Sequence, residues 1–580
     1  MKGKSLLFLA LGACLSLAAG RLEAQHPALI RDVNHTPVPG KASNPNHLVD
    51  FFGWTFFSAD DGIHGAELWK TDGIPSHTVL VKDIDPGGEG SRIGEGAMSG
   101  GVYIFSAFDR SHGQELWVTD GTEKGTFLLK DIRPGGAASL PGDFVSTGKV
   151  VFFSADDGVH GKELWKSDGT PAGTVLVKDI RPGSGGADLS GLTVLGNQVF
   201  FTAYDGTRGY ELWKSDGTSS GTVLVKDIYP GIYSSSPAFL AFVGSTLYFS
   251  ASDGIHGWEL WKSDGTAAGT VMIKDIWKGV HGSAPSEIVR IGKEIYFTGF
   301  EPSHGRELWK SDGTAAGTVL VKDIAPGASQ SCPSCLVVQR KTLYFTADDG
   351  THGRELWKSD GTSAGTGMVA DINPGAVGSV PGDLTPVGSR FLYFSAADGV
   401  HGMEPWKTDG TGKGTVLLGD INRTGDSFAG GFTPSYGRVV FRADDGLHGM
   451  EIWGIYTGAQ ARRFGKGCSA SGEPPRLEAT DPVLGGDTEL ELTGLAGNKA
   501  GVVLFGFPSR PFSFGGNCLF YLDMNMYFLA SFYTKPMKIH VPNSQGLNWV
   551  SLAVQGFVTP TGNRPLGVDF SNAVYLYFAR

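Results

Sequence analysis

The feature that most constrains the fold is a motif that recurs at an almost constant interval. The stretch HGAELWKTDG, His64–Gly73, returns eight more times with small changes. Successive motif tryptophans are 48 residues apart six times, then 49 and 47 residues apart. These tryptophans are Trp69, Trp117, Trp165, Trp213, Trp261, Trp309, Trp357, Trp406 and Trp453. The fixed period predicts that each repeat is one supersecondary unit and that neighbouring units stack around a shared core.

One unit, read from Thr222, contains four short strand candidates and no helical pattern. Its apolar runs are TVLVKDI, AFLAFVG, TLYFSA and ELWKS, and turn signals rich in Gly, Pro, Asp and Ser separate them. The runs are apolar on both faces, which indicates small sheets that are covered on both sides. Four strands in a unit of about 40–50 residues are typical of a β-propeller. The predicted fold class is therefore all-β.

The number of complete strand sets predicts the number of blades. If the VLVKDI run opens each blade, the N-terminal run ALIRDVN at Ala28 supplies the first strand. Nine sets of four strands then fit between Ala28 and about Tyr456. Propellers usually have about 4–8 blades, so an eight-blade ring with one irregular unit is an alternative, and an open β-solenoid is another. The sequence leaves open which strand lines the central channel.

The repeated motif also resembles that of a known protein family. ELWKSDGT followed by AGT or SGT resembles the ELWxxDGT repeat family of secreted bacterial proteins, from Ala28 to about Trp453. The resemblance implies a β-propeller-like exported protein and no particular reaction. The chain departs from the pattern at EPW (Glu404) and EIW (Glu451), and the last repeat lacks DGT.

Within the motif, the tryptophan is predicted to pack one blade against the next, because a sugar-stacking role would need exposure. The repeated Asp, His and Glu are spaced D-x-x-H-x-x-E, as in Asp157, His160 and Glu163. One interpretation is a cation site, for which calcium would be the fitting ion. The other is a structural clasp in which the His holds the Glu carboxylate. Arg208 replaces the His in the fourth unit, and because Arg donates hydrogen bonds but ligates no metal, we prefer the clasp and expect no cofactor.

The recurrent segment KDI contributes a second set of repeated carboxylates. Its aspartates are Asp83, Asp131, Asp179, Asp227, Asp275, Asp323, Asp371 and Asp420, and Asp32 in RDV begins the series. If their strands were innermost, nine carboxylates would ring one mouth of the channel, and the neighbouring basic residues would neutralise them. The alternative is that each aspartate caps a turn before Pro-Gly.

A single functional site must use residues that differ between repeats, because nine near-identical hairpins around a ring cannot form one site. The residues that differ most are Tyr210, Trp258, Trp277, Lys278, His281, Phe300, Glu301 and Pro302. Tyr210 and Trp258 stand directly before the Glu of ELW, and Trp277, Lys278 and His281 lie where most units have a Pro-Gly turn. The first five of these residues predict an aromatic surface patch for a polysaccharide or protein partner. Neutral variation is the alternative.

The cysteines suggest disulfides rather than catalysis. Cys332 and Cys335 have redox-like CxxC spacing but lie in a loop and not at a helix N-terminus, where thiols are activated. We therefore expect a local disulfide or a pair of thiols. Cys468 and Cys518 are the only cysteines after residue 466 and are predicted to pair, as is usual in exported proteins.

Both ends of the chain differ from the repeats. Residues 1–24 have a positive start, an apolar run and a small-residue cleavage site after Ala24, which predicts a signal peptide and a secreted or cell-surface protein. The segment LGAC, which ends at Cys14, resembles the lipobox of bacterial lipoproteins, so a lipoprotein lipidated at Cys14 is the alternative. No later segment has the roughly 18 apolar residues of a membrane helix. From residue 466 to residue 580, alternating segments such as TELELTGL predict a β-sandwich-like domain.

Charge narrows the class of partner. The net charge is −11 and no basic stripe stands out, which argues against nucleic acid. The predicted function is an exported, monomeric binding or adhesion scaffold whose propeller face binds a protein or a polysaccharide. The alternative is a glycosidase-like or sialidase-like enzyme acting on polysaccharide. Such an enzyme needs two carboxylates about 5–10 Å apart, and the sequence singles out no such pair and no catalytic residue.

Overall fold

The computed structural model describes residues 26–34, 41–435 and 437–457 in full. Beyond them it describes the backbone of eight strands. The predicted signal peptide, the lipidation alternative at Cys14, and Cys468 and Cys518 lie outside the described residues. Among the residues described, no helix has the length and apolar character needed to cross a membrane.

The repeats form nine four-stranded antiparallel sheets, which are the blades of a propeller. Strands of blades 1 to 3 are β2 (Asn46–Phe51), β3 (Trp54–Asp60), β4 (Ala66–Thr71), β5 (Val79–Lys82); β6 (Gly96–Ser99), β7 (Val102–Asp109), β8 (Gly113–Thr119), β9 (Phe127–Lys130); β10 (Gly142–Ser146), β11 (Val151–Asp156), β12 (Lys162–Ser167) and β13 (Val175–Lys178). Strands of blades 4 to 6 are β14 (Ser190–Leu195), β15 (Gln198–Tyr204), β16 (Tyr210–Ser215), β17 (Val223–Lys226); β18 (Ala238–Val243), β19 (Thr246–Ser252), β20 (Trp258–Ser263), β21 (Val271–Lys274); β22 (Ser286–Ile291), β23 (Glu294–Glu301), β24 (Gly305–Ser311) and β25 (Val319–Lys322).

The remaining blades repeat the pattern. Blades 7 and 8 are built from β26 (Ser334–Gln339), β27 (Thr342–Asp348), β28 (Arg354–Ser359), β29 (Gly367–Ala370); β30 (Gly382–Val387), β31 (Phe391–Ala397), β32 (Met403–Thr408) and β33 (Val416–Leu417). Blade 9 consists of β34 (Gly430–Ser435), β35 (Arg438–Asp444), β36 (Met450–Tyr456) and the N-terminal strand β1 (Ala28–Arg31). A short 3-10 helix, η1 (Pro75–His77), follows β4. The prediction of an all-β propeller with nine blades is confirmed.

The grouping of strands into blades differs from the sequence prediction. The VLVK run does not open a blade but closes one, because it pairs with the ELW strand that precedes it; Trp165 of β12, for example, lies opposite Leu176 of β13. The AFLAFV-type run is the first strand of each blade. The N-terminal strand is therefore left over at the start of the chain and becomes the fourth strand of blade 9.

The N-terminal strand closes the ring. β1 runs antiparallel to β36, with Leu29 opposite Trp453. Arg31 at its end donates a hydrogen bond to the carbonyl of Thr78 in blade 1. Lys130 makes the corresponding bond from blade 2 to Thr174 in blade 3, with an Nζ–O distance of 2.9 Å. Blade 9 is thus joined to blade 1 as each blade is joined to the next, and an open solenoid is excluded.

The core lies between blades. One cluster joins Ile104 and Leu116 of blade 2 to Phe153 and Trp165 of blade 3. All nine motif tryptophans are buried, with 6–9% of their surface exposed. Burying a large side chain of this kind contributes several kcal/mol, since its truncation typically costs about 3–5 kcal/mol.

The C-terminal part contains two further sheets. The first has five strands in the order β37, β44, β43, β40, β41, and the second has three in the order β38, β39, β42. These strands are β37 (Gln460–Phe464), β38 (Arg476–Ala479), β39 (Asp487–Thr493), β40 (Ala500–Ser513), β41 (Leu519–Tyr533), β42 (Met537–His540), β43 (Ser551–Val558) and β44 (Asp569–Tyr577).

Candidate functional site

The repeated histidine contacts the aspartate of its own turn, not the glutamate. His160 Nδ1 lies 2.7 Å from Asp157 Oδ2, and the backbone N–H of His160 donates to Asp157 Oδ1. Arg208 makes the equivalent contact, with Nη1 2.6 Å from Asp205 Oδ2. The sequence analysis was right that His and Arg serve as donors, but the predicted acceptor, the Glu carboxylate, was wrong. In the sixth unit Glu301 takes the place of the aspartate and contacts His304.

The repeated glutamate holds the loop that follows its blade. Glu163 is fully buried. Its carboxylate accepts backbone N–H groups of Ile180 at 2.9 Å and Arg181 at 3.0 Å, and it also bonds to the N–H of Ala187. Burial raises the pKa of this carboxyl to about 7 even though these donors oppose the shift. The carboxylate therefore fixes the connection between the fourth strand of one blade and the first strand of the next.

Lysines join each blade to its neighbour. Lys178, at the end of β13, donates to the carbonyl of Thr222, and Lys166, in β12, donates to the carbonyl of Gly217. Equivalent bonds recur from blade to blade. The DGT turns are closed locally, as when Thr170 donates its N–H and hydroxyl to Asp168 Oδ1. The polar residues of the motif are thus committed to turns and to contacts within and between blades.

The first strand of each blade lies closest to the channel. First strands of neighbouring blades contact one another; β10, for example, contacts both β6 and β14. The KDI aspartates follow the fourth strand, at the opposite edge of each sheet. The condition for a ring of nine carboxylates at the channel is therefore not met. The lysines beside them do not neutralise a ring but donate to carbonyls of the next blade.

One face of the propeller carries two kinds of connection. The hairpins between the second and third strands of each blade lie there, and so do the loops that lead into the first strand of the next blade. The two are in close contact: a Cβ added at Gly161 of a hairpin would lie 2.4 Å from the backbone nitrogen of Gly186 of a loop. We call this side the hairpin face. In blade 3 the residue before the motif Glu reaches from the third strand to the first, since Lys162 Nζ lies 3.4 Å from Asp143 Oδ2 in β10.

The residues that precede the motif Glu lie at the start of the third strand of their blades, on the hairpin face. They are Ala66, Gln114, Lys162, Tyr210, Trp258, Arg306, Arg354, Met403 and Met450. Tyr210 is half-buried, and its hydroxyl lies 3.4 Å from Asp188 Oδ2. Trp258 is 46% exposed. Tyr210 and Trp258 were predicted from the sequence as binding residues; Arg306 and Arg354, which occupy the same register in the next two blades, were not.

Trp258 lines a cavity of about 580 Å³ between blades 5, 6 and 7. Phe239 and Trp258 come from blade 5, Glu287 and Arg306 from blade 6, and Arg354 from blade 7. A second cavity of about 600 Å³ lies beside it and is lined by residues of blades 1, 6, 7, 8 and 9. Glu287 borders both cavities. We call the first of them the aromatic–arginine cavity.

Trp277, Lys278 and His281 are not among the residues that line this cavity, although the backbone of His281 and Gly282 lies against that of Gly257 and Trp258. The indole of Trp277 packs 4.8 Å from the imidazole of His281 and 4.8 Å from the ring of Phe300 in blade 6. Lys278 and His281 are exposed. Within the described residues, the ring partners of Trp277 are His281 and Phe300, and no ring contact joins Trp277 to Trp258.

Cys332 and Cys335 are free thiols. Cys332 borders the aromatic–arginine cavity and Cys335 the second one. Burial, together with the charge of Glu287, raises the pKa of the Cys335 thiol, which is the opposite of what activates a nucleophilic cysteine. Of the two predictions, the pair of thiols is the one the structure shows.

In the described part of the chain, no further ligand joins the cation site considered for Asp157, His160 and Glu163. Asp157 and His160 contact each other, while Glu163 binds backbone N–H groups of the following loop. Over residues 26–34, 41–435 and 437–457, no three His, Cys, Asp or Glu side chains are grouped so that they could hold a metal ion.

Comparisons with known proteins add little to this geometry. No protein-family model matches the chain, and no curated protein does. Among solved structures, the chain is similar to a prolyl endopeptidase at 12% identity and a TM-score of 0.35, covering 63% of this chain and 55% of that one. It is similar to the β-propeller domain of the Trilobed protease from Pyrococcus furiosus at 11% identity and a TM-score of 0.31, covering 57% and 99%. It is also similar to Saccharomyces cerevisiae Sqt1 at 10% identity and a TM-score of 0.35, covering 65% and 96%.

These values carry no conclusion about activity. The chain spans about half the length of the prolyl endopeptidase, and the shared identity is far below the level at which function is transferred. The class defined by the fold is a nine-bladed propeller, and its candidate site is the aromatic–arginine cavity at the channel mouth.

Proposed function

We propose that this chain is an exported binding or adhesion scaffold whose ligand site is the channel mouth on the hairpin face. One observation carries the proposal: the repeated glutamates and lysines are engaged in contacts within and between blades, whereas side chains that differ between blades line the cavity beside Trp258. An exposed aromatic side chain surrounded by polar groups is typical of a recognition surface. Export through residues 1–24 and membership of the ELWxxDGT family are part of the same proposal.

The enzyme alternative is less well supported. The carboxylates that border the second cavity include Glu287 and Asp383. Glu287 accepts the backbone N–H of Leu336 at 2.9 Å, and Asp383 accepts that of Gly431 at 3.2 Å. Each carboxylate thus bonds to the backbone of the next blade, which is a structural role rather than that of a general acid or nucleophile.

The proposal is tested by screening the full chain on glycan and peptide arrays, with and without calcium. We expect specific capture that Trp258→Ala abolishes and that a chelator leaves unchanged. The control is Lys149→Ala, which changes an exposed residue in the turn between β10 and β11, away from the cavity. Capture that survives Trp258→Ala and Arg306→Gln would place the site elsewhere.

A further inference from the structure

We infer that the aromatic–arginine cavity binds a carboxylate-bearing sugar, such as a uronic acid unit of an acidic polysaccharide. The inference rests on the proposed function, because it names the ligand class of that same site.

Two arginines in the cavity have unused donors. Arg306 Nη1 donates to the carbonyl of Ala284 at 2.9 Å, and Arg354 Nη1 contacts the carbonyl of Cys332 at 2.9 Å and nearby hydroxyls. Across the described residues, the side-chain hydrogen bonds of both arginines all run through Nη1, and neither guanidinium forms an ion pair. A guanidinium offers five donors in a planar fork that matches a carboxylate. The remaining guanidinium N–H groups can therefore donate to an anionic group in the cavity.

Burial adds to this argument. The Arg306 side chain is half-buried, and desolvation lowers its pKa. A buried charge is costly unless it is paired. A ligand carboxylate would supply the missing partner. The overall charge of −11 does not prevent this, because salt screens charges beyond about 10 Å at 0.1 M ionic strength.

The cavity also offers two exposed aromatic rings. Trp258 is 46% exposed and Phe239 is 49% exposed. Phe239 has a φ of 56°, in the left-handed region that bulky residues rarely occupy. The same register position holds Gly191 in blade 4 and Gly431 in blade 9, with φ of 66° and 67°. His47, Asp143, Glu287, Cys335 and Asp383 occupy the same position in five further blades with φ of 52° to 56°, so the left-handed backbone belongs to the fold at this register. Glycine adopts it without strain, and the phenylalanine at this position leaves its ring exposed.

The rest of the wall suits a sugar better than a peptide. A pyranose carries an apolar C–H face, hydroxyls and, in a uronic acid, a carboxylate within one ring, and these match the rings, the Glu287 carboxylate and the arginine forks. The hydroxyl of Thr298, which is 2% exposed and borders the cavity, has no hydrogen-bond partner within the described part of the chain. A peptide added as a strand would need a regular edge, but β22 and β26 begin with register shifts.

The test is calorimetric titration of the full chain with hexamers of galacturonate, mannuronate and guluronate. The methyl-esterified galacturonate hexamer and a sulfated neutral hexamer serve as comparison ligands. We expect at least one hexauronate to bind and its methyl ester to bind at least tenfold more weakly. Arg306→Gln should lower the affinity for the hexauronate by at least tenfold. Lys162→Gln is the matched control, since Lys162 has the same register in blade 3, outside the cavity.

Phe239→Gly separates binding from folding. This substitution should lower the affinity for the hexauronate at least fivefold. The melting temperature should stay unchanged or rise, because glycine adopts the left-handed backbone without strain. Absence of binding by every hexauronate, equal binding of the methyl ester, or preference for the sulfated hexamer would overturn the inference. If the arrays then show that a neutral glycan or a peptide is captured through Trp258, the proposed function stands without it.

Discussion

At the scale of single residues, the buried glutamate of the motif explains why the repeat tolerates so little change in ELW. Glu163 lies in a strand that is covered on both faces, and its carboxylate is the acceptor for three backbone N–H groups of the following loop. An unmade hydrogen bond in a buried site costs about 1–3 kcal/mol. The histidine three residues earlier lies at the surface and closes only its own turn.

The two residues should therefore differ sharply in their effect on stability. We expect Glu163→Ala to lower the free energy of unfolding of the propeller by about 3 kcal/mol or more, because at least two buried N–H groups lose their acceptor. His160→Ala should have only the small effect of losing a half-exposed pair. Thermal melts of both variants check this. A drop for His160→Ala as large as that for Glu163→Ala would contradict the assignment.

Sequence reasoning reached part of this result. The Arg208 substitution revealed that the His position needs a donor, but not which carboxylate accepts. Asp157 and Glu163 are equally plausible acceptors by spacing. The choice depends on the turn, which folds Asp157 back onto the N–H of His160, and on the burial of β12, which removes Glu163 from the surface.

At the scale of elements, the strand that matters most is the N-terminal one. β1 pairs with β36, and the backbone N–H of Val33 behind it donates to Glu451 Oε2 at 3.0 Å. The four strand types and the number of sets were predictable from apolar runs and turn residues. Their assignment to blades was not, because the partner of β1 is more than 400 residues away in the chain and no local pattern identifies it.

Deleting residues 26–34 should open the ring. We expect a large drop in the melting temperature and new protease cleavage in blades 1 and 9, since β36 loses its edge partner and Glu451 loses a donor. A synthetic peptide of residues 26–34 should restore the melting temperature in a concentration-dependent way, because it binds only the folded ring. A scrambled peptide is the control. An unchanged melting temperature after the deletion would show that β1 is dispensable.

At the scale of the whole molecule, the candidate site exists only because three blades meet. Trp258, Arg306 and Arg354 are 48 residues apart in turn, which hides their proximity in the sequence. The sequence identified Trp258 as unusual. It could not identify Phe239 or Glu287, because that required knowing that the first strand of each blade faces the channel. Trp277 was selected by the same logic and packs elsewhere, against Phe300.

The ninefold repetition also predicts a pH dependence for the whole ring. Burial raises the pKa of all nine motif glutamates, in Glu67, Glu163 and Glu451 to about 7. A carboxyl with a raised folded-state pKa contributes stability at low pH that is lost as the pH rises through that value. Hydrogen bonds to aspartate raise the pKa of histidines such as His160 in the same direction. Turn aspartates with lowered pKa, such as Asp157, lose their contribution only below about pH 4.

The melting temperature should therefore fall between pH 5 and pH 8 at constant ionic strength. Glu163→Gln should flatten this slope, because one titrating carboxyl is removed while an acceptor oxygen remains. Melts at pH 5, 6, 7 and 8 of both proteins measure the effect. A melting temperature that rises over this range in the wild-type chain would contradict it.

The closure of blade 9 by β1 imposes an order on assembly. The segment Ala28–Arg31 is made first, yet its partner, Met450–Tyr456, is made more than 400 residues later. Eight blades can form one after another as the chain emerges, while the earliest strand waits unpaired. A chain that stops short of β36 can therefore form most of its blades but cannot close the ring. The pairing of Ala28–Arg31 with β36 can therefore form only after synthesis has passed Tyr456.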